Sequence, residues 1–229
     1  MNVFFHLPSE TGAQPLQIEV NRLVIAGWTG RDAHAIEHHI GELEAIGVPR
    51  PSAVPLFYRV ASNQLTQADS VQVVGDGTSG EVEPFLFFHG GEFFVSIASD
   101  HTDRPLETHS VALSKQICPK PVARHAWRLV EVLDHWDTLV LRSWIEEDGE
   151  SRLYQEGTLA ALRPPADLLA RFSAAGNPPP AEGFAMACGT VGAIGGIRPS
   201  ASFRMELFDP RLGRSIVHAY CCQALPVIA

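Results

Sequence analysis

In the segment GEVEPFLFFHGGEFFVSIASDHTDR, residues 80–104, two adjacent glycines separate two aromatic-rich runs. The tightest hairpin turns need positive φ at both central positions, which glycine adopts without steric penalty, so Gly90-Gly91 predicts a two-residue hairpin. Pairing His89 with Glu92 sets Glu81 opposite Asp100 and Glu83 opposite Ala98. Residues two apart share a face of a strand, and cross-strand partners point the same way. This register gathers Glu81, Glu83 and Asp100 on one side of the hairpin.

Three carboxylates in that space repel one another. Two unit charges about 5 Å apart cost on the order of 3 kcal/mol at an effective dielectric near 20. A hard divalent cation removes the repulsion and prefers oxygen ligands, which points to Mg²⁺, with Mn²⁺ and Ca²⁺ as alternatives. Water or substrate would fill the remaining positions. On pattern alone a solvated acidic sheet face fits as well, and a register slip of one residue would disperse the cluster.

Composition bounds the remaining choices. A chain of 229 residues that is 45% apolar and 19% charged can bury a proper core and is no disordered polyampholyte. Its formal net charge of −9 argues against a nucleic-acid or anionic-membrane partner, either of which needs a basic face. There is no signal-peptide pattern, and the apolar segments are too short and interrupted to span a bilayer. Cys118, Cys188, Cys221 and Cys222 form no C-x-x-C pair and read as reduced thiols of a cytoplasmic protein.

Strands are predicted over 3–6, 16–20, 23–27, 56–60, 71–74, 81–89, 92–98, 139–145, 153–155, 201–208 and 215–222. Ala33, Ile36, Ile40 and Leu43 recur at helical spacing; Thr29 or Asp32 can cap that helix, and Gly47, Pro49 and Pro51 stop it. A second helix is predicted over 164–172. No repeat or linker divides the chain. It reads as one α+β domain, mainly β, over 1–229, with N-terminal strands and a helix in 1–60 and a β core in 61–229.

Other residues carry weaker signals. His39 and Glu42 are neighbours on the first helix, where a carboxylate could orient an imidazole as a base; a surface ion pair is the commoner meaning. Spacing alone leaves Lys115 a solvated lysine. In CGTVGAIGGI, residues 188–197, backbone tightness is the default reading, although Gly189 and Thr190 could present amides and a hydroxyl to a ligand. Trp127, Trp136 and Trp144 read as core or interface.

Several short motifs occur in a fixed order from residue 23 to residue 220. They are His39-Ile-Gly-Glu42-Leu43; Pro51, Pro55, Phe57 and Arg59; Glu81-Val-Glu83; Ser99-Asp100-His-Thr102-Asp-Arg104, with Glu107 three further on; Lys115; Gln155-Glu-Gly157; Cys188-Gly189-Thr190; and Met205-Glu206-Leu207. This ordered set resembles the fumarylacetoacetate hydrolase-like superfamily, most closely a domain-of-unknown-function branch of it. Three positions depart from the pattern. Ser99 replaces an asparagine, Arg59 a lysine, and Gly27-Trp28-Thr29-Gly30 an Asn-Tyr pair.

The resemblance implies a mixed β-roll or partly open barrel with a few short helices. It also implies a homodimer, which the low charged fraction and apolar C-terminal strands favour. Glu81, Glu83 and Asp100 would hold Mg²⁺ (or Mn²⁺/Ca²⁺) for a small 2-oxo or 1,3-dicarbonyl acid. Hydrolysis of a C–C bond would use His39, oriented by Glu42, to activate water, and Lys115 to stabilise the enolate. Arg104, Glu107, Gly189 and Thr190 would hold substrate, Glu206 would be a supporting base, and the His39 helix a lid. Decarboxylation, isomerisation, hydration or dehydration would use the same chemistry, and an inactive metal-binding dimeric scaffold is the reading from another class.

Overall fold

The computed structural model describes residues 1–9, 12–45 and 50–228, without the side chains of Ser9, His39, Glu42, Leu43 and Ala45. In chain order the main elements begin with β1 (Asn2–Ser9), β2 (Gly12–Glu19), β3 (Arg22–Gly27), α1 (Ala33–Ala45), β4 (Leu56–Val60) and β5 (Ser70–Val74). The central part holds β6 (Val82–His89), β7 (Glu92–Ser99), α2 (Arg104–Glu107), α3 (Val111–Gln116), β8 (Trp127–Arg128), β9 (Val140–Glu147) and β10 (Glu150–Thr158). Then come α4 (Pro165–Ala174), β11 (Phe184–Ala187), β12 (Ser202–Asp209) and β13 (Arg214–Leu225).

Two mixed sheets form the body, giving an α+β fold that is mainly β. One has strand order β8-β7-β6-β11-β3-β4 and the other β10-β9-β12-β13-β5. Parallel pairing occurs once in each, β11 with β3 and β13 with β5; the other neighbours run antiparallel. One core cluster joins the sheets through residues such as Leu86, Val95, Leu141, Phe203 and Met205. A second seals the opposite face of the six-stranded sheet under the β1–β2 hairpin, with Phe5, Ile18, Phe85, Phe87 and Phe94. With both faces covered, β6 holds an unbroken apolar run, residues 84–88, and not an alternating one.

The central hairpin has the predicted register. His89 pairs with Glu92 and Glu83 with Ala98, and Gly90 and Gly91 take φ of 59° and 85°. The Asp100 amide then donates to the Glu81 carbonyl at 3.0 Å, so pairing continues one step beyond the strands. Asp32 starts α1, its Oδ1 accepting from the amides of His34 and Ala35. The predicted stop at Gly47 and Pro49 lies outside the described residues.

Among these elements β8, β11, α2 and α3 were not anticipated. β11 is four buried residues, FAMA, too short and too uniformly apolar to show alternation. Helices α2 and α3, of four and six residues, are too short for a helical period to show in sequence. They are local structures set by caps: Asp103 Oδ1 accepts from the Leu106 amide, and Ser110 Oγ from the Leu113 amide. Among the described residues no helix is long and apolar enough to cross a membrane.

Candidate metal centre

The hairpin delivers its three carboxylates to one place. One oxygen from each of Glu81, Glu83 and Asp100 lies within 4.8 Å of the other two, and Glu83 and Asp100 are buried. Glu83 stands in the middle of the six-stranded sheet, beside the end of β11. There the chain turns at Gly189, whose φ is +94° and whose amide donates to Glu83 Oε2 at 2.8 Å. A Cβ at Gly189 would lie 1.7 Å from Thr29 Oγ1, so only glycine lets these strand ends close on the carboxylate.

Cations surround the triad. Capped helix α3 carries Lys115 in its last turn, and its ammonium donates to Asp100 Oδ2. Lys120, also buried, lies 3.1 Å from Asp100 Oδ1 and donates to the His101 carbonyl. Arg104, the first residue of α2, donates from Nε to Ser79 Oγ at 2.7 Å and from Nη1 to Glu107 Oε2 at 2.9 Å; its Nη2 is 3.2 Å from Glu81 Oε1.

Burial, joined by the charge of Asp100, raises the Glu83 carboxyl well above the usual carboxylate range. Asp100 behaves oppositely. Burial alone would raise it, but Lys115 and Lys120 outweigh that and bring it to about 2. Lys115 loses solvation on burial, yet Asp100 and Glu81 hold its pKa above that of an ordinary lysine. It is therefore an ammonium at neutral pH, a source of positive charge and no base.

The donor set fits a hard divalent cation. All three ligand candidates are carboxylates, and Glu83 accepts only one backbone hydrogen bond for a buried charge. With Glu83 ionised, as a bound cation would hold it, the four carboxylates of Glu81, Glu83, Asp100 and Glu107 face the three cations Lys115, Lys120 and Arg104, one negative charge in excess. A divalent cation would make that balance positive by one.

These groups open onto a cavity of about 870 Å³ lined also by Trp28, Tyr58, Tyr154 and Gln155. A match to the family described as "Protein of unknown function (DUF2848)" extends over residues 26–220, which takes in every one of these groups. The chain belongs to that family.

No curated protein matches this DUF2848 chain. Solved structures do. Cg1458 is 14% identical with a TM-score of 0.66, covering 94% of this chain and 81% of its own. Cg1458 with inhibitor is 15% identical with a TM-score of 0.67 over the same shares. A 2-keto-3-deoxy-D-arabinonate dehydratase complexed with magnesium and 2,5-dioxopentanoate is 15% identical with a TM-score of 0.61, covering 95% of this chain and 79% of its own. At such identities the likeness establishes a shared fold.

The remaining sequence candidates fall in three groups. Arg104, Glu107, Gly189 and Thr190 all line the cavity of this DUF2848 protein. The Gly189 amide, however, serves Glu83, and the Thr190 hydroxyl donates to the Val82 carbonyl while accepting from Gln155 Nε2, so both brace the metal centre. Helix α1 borders the cavity through Ala35 and Ile36, but the side chains of His39 and Glu42 lie outside the described residues. Glu206 must be withdrawn as a supporting base. It alternates with buried Met205 and Leu207, so its carboxylate points to the other face of β12, where Arg142 and Ser215 hold it.

Sequence reasoning passed over Lys120, whose ammonium reaches Asp100. The available signal was its place within CPKPVA, residues 118–123, a stretch otherwise without charge.

Proposed function

We propose that this protein is a divalent-metal-dependent enzyme of the fumarylacetoacetate hydrolase-like superfamily, acting on a small 2-oxo acid. The observation that carries the reading is the convergence of Glu81, Glu83 and Asp100 at the floor of a large cavity, with the Lys115 ammonium bound to Asp100. A divalent cation held there, Mg²⁺ by its oxygen-only ligand set, supplies Lewis acidity toward adjacent substrate oxygens. Lys115 would place a fixed positive charge beside the negative charge of an enolised substrate. Arg104, braced by Glu107 and Glu81, adds a second fixed charge for the substrate carboxylate.

Elimination of water is the first reading for the overall reaction. The magnesium-bound dehydratase with the same fold supports it, since its 2,5-dioxopentanoate is itself a 2-oxo acid. Lys115, held as an ammonium, is suited to hydrogen-bond a departing hydroxyl and offset its growing negative charge. Hydrolysis of a C–C bond is the second reading, favoured by the position of α1 at the cavity: the helix that lends it Ala35 and Ile36 also carries His39 and Glu42.

Incubation with a 4-hydroxy-2-oxo acid and with a 2,4-dioxo acid, with Mg²⁺ or with EDTA, separates the readings by product mass. Metal-dependent loss of one water supports the dehydratase, and two carbon fragments support the hydrolase. Failure of both substrates with Mg²⁺ present would leave the inactive scaffold. A homodimer belongs to the same proposal, and gel filtration that returned a 24.9 kDa monomer would count against it.

A further inference from the structure

The cavity is much larger than its charged floor. Its volume of about 870 Å³ falls in the upper part of the roughly 300–1,000 Å³ typical of sites for drug-sized ligands. Outside the metal-centre group, two charged residues remain among the described lining residues, Arg31 and Asp32, and both are already satisfied. Arg31 forms a two-pronged pair with Asp137 and donates from Nε to the Leu162 carbonyl. Asp32 caps α1 through the amides of His34 and Ala35.

What remains of the lining is largely apolar. Ala35 and Ile36 of α1, Ala160 and Ala161 after β10, and Ala193 and Ile197 of the glycine-rich loop form the walls. They close on one another: a Cβ at Gly30 would meet Ile36 Cγ1 at 3.3 Å and the Ala161 carbonyl at 4.0 Å. The aromatic rings of Tyr58 and Tyr154 extend this surface, and Tyr58 stands with its ring centre 5.7 Å from Lys115 Nζ, where floor meets wall.

From this division we infer, on the basis of the metal-centre reading, that the substrate is a 2-oxo acid with one carboxylate and an aliphatic or aromatic group beyond its reacting carbons. Among the described lining residues a second carboxylate would find neither a free cation nor solvent-like surroundings against these walls. A polyhydroxylated tail would exchange water for mostly apolar surfaces that return few hydrogen bonds. An apolar tail is released from water there, which favours binding by about fourfold per fully buried methylene.

Titration calorimetry on the Mg²⁺-loaded protein tests this with pyruvate, 2-oxooctanoate, phenylpyruvate and 2-oxoglutarate as probes. The expected result is that 2-oxooctanoate binds roughly 100-fold more tightly than pyruvate, allowing for incomplete burial of its tail, while 2-oxoglutarate gains nothing. Ala35→Phe, on the exposed side of α1, should remove at least about tenfold of that gain and leave pyruvate binding within about twofold, because it fills a wall without reaching the floor. Ala160→Phe provides the same reading from a different segment should the first variant fold poorly. Equal affinity for pyruvate and 2-oxooctanoate, or a preference for 2-oxoglutarate, overturns the inference while pyruvate binding that needs Mg²⁺ leaves the metal centre standing. Absence of binding by every probe, with Mg²⁺ and with EDTA alike, overturns both.

Discussion

The amide of Gly189 donates to Glu83 Oε2 at 2.8 Å, tying the end of one strand to a carboxylate on its neighbour. Glu83 is thus fixed in position before any ligand arrives; Glu81 stands two residues before it along the same strand, and Asp100 reaches it from the end of the strand alongside. Because Glu83 is held by backbone and supports no apolar packing of its own, Glu83→Ala should lose Mg²⁺ or Mn²⁺ binding in a calorimetric titration while keeping the circular dichroism of the parent. Retention of metal affinity in that variant would remove Glu83 from the ligand set.

The two buried carboxylates give opposite pH dependences. Burial and Asp100 raise Glu83, so its contribution to stability is complete below the unfolded value of about 4.3 and is lost as pH rises through the folded one. For Asp100 the lysines outweigh burial and lower the carboxyl to about 2, so its contribution is present above the unfolded value and lost as pH falls toward 2. Metal-free protein should lose Tm as pH rises above about 4.3 in scanning calorimetry, and Glu83→Gln should flatten that decline, since an amide keeps the Gly189 hydrogen bond without the charge. Identical slopes for parent and variant would refute this assignment.

Removing the Lys115 charge leaves Asp100 with Lys120 alone. Lys115→Met should destabilise the fold by about 3 kcal/mol, the low end of the range for breaking a buried pair, as read from denaturant midpoints. The double variant with Asp100→Asn should lose less than the sum of the single losses, because the second change removes the charge that the first left unpaired.

His39 and Glu42 decide between the two reactions. Under hydrolysis, His39→Ala and Glu42→Ala should each lower kcat by about 10²–10⁴-fold with metal affinity nearly unchanged, and the losses should not add. The pH–rate profile should then show an acid limb, since a protonated imidazole cannot take a proton from water. Full activity in His39→Ala would favour elimination.

Legibility in the sequence followed locality. Gly90-Gly91 declared the hairpin, and the alternation of strands then placed Glu81, Glu83 and Asp100 without reference to anything distant. Lys115 and Lys120 could not be read that way. Each is buried because a partner 15 or more residues away in the chain compensates its charge, and a lone lysine in sequence looks the same whether solvated or paired. β11 was hidden for a related reason: a short strand buried between two others needs no alternation, so FAMA carries no period. Glu206 misled because its motif lies on the right strand, while the side-chain direction depends on which neighbour, Met205 or Leu207, is drawn into the core; both are.

The charged groups of the cavity floor come from one continuous stretch, residues 81–115, whereas its apolar walls are lent by segments near residues 35, 160 and 195. The two can therefore diverge at separate rates. Drift in the wall segments changes which tails are admitted without disturbing a single charge pair, so a lineage with this architecture can acquire new diets by loop replacement while its reacting end stays under constraint.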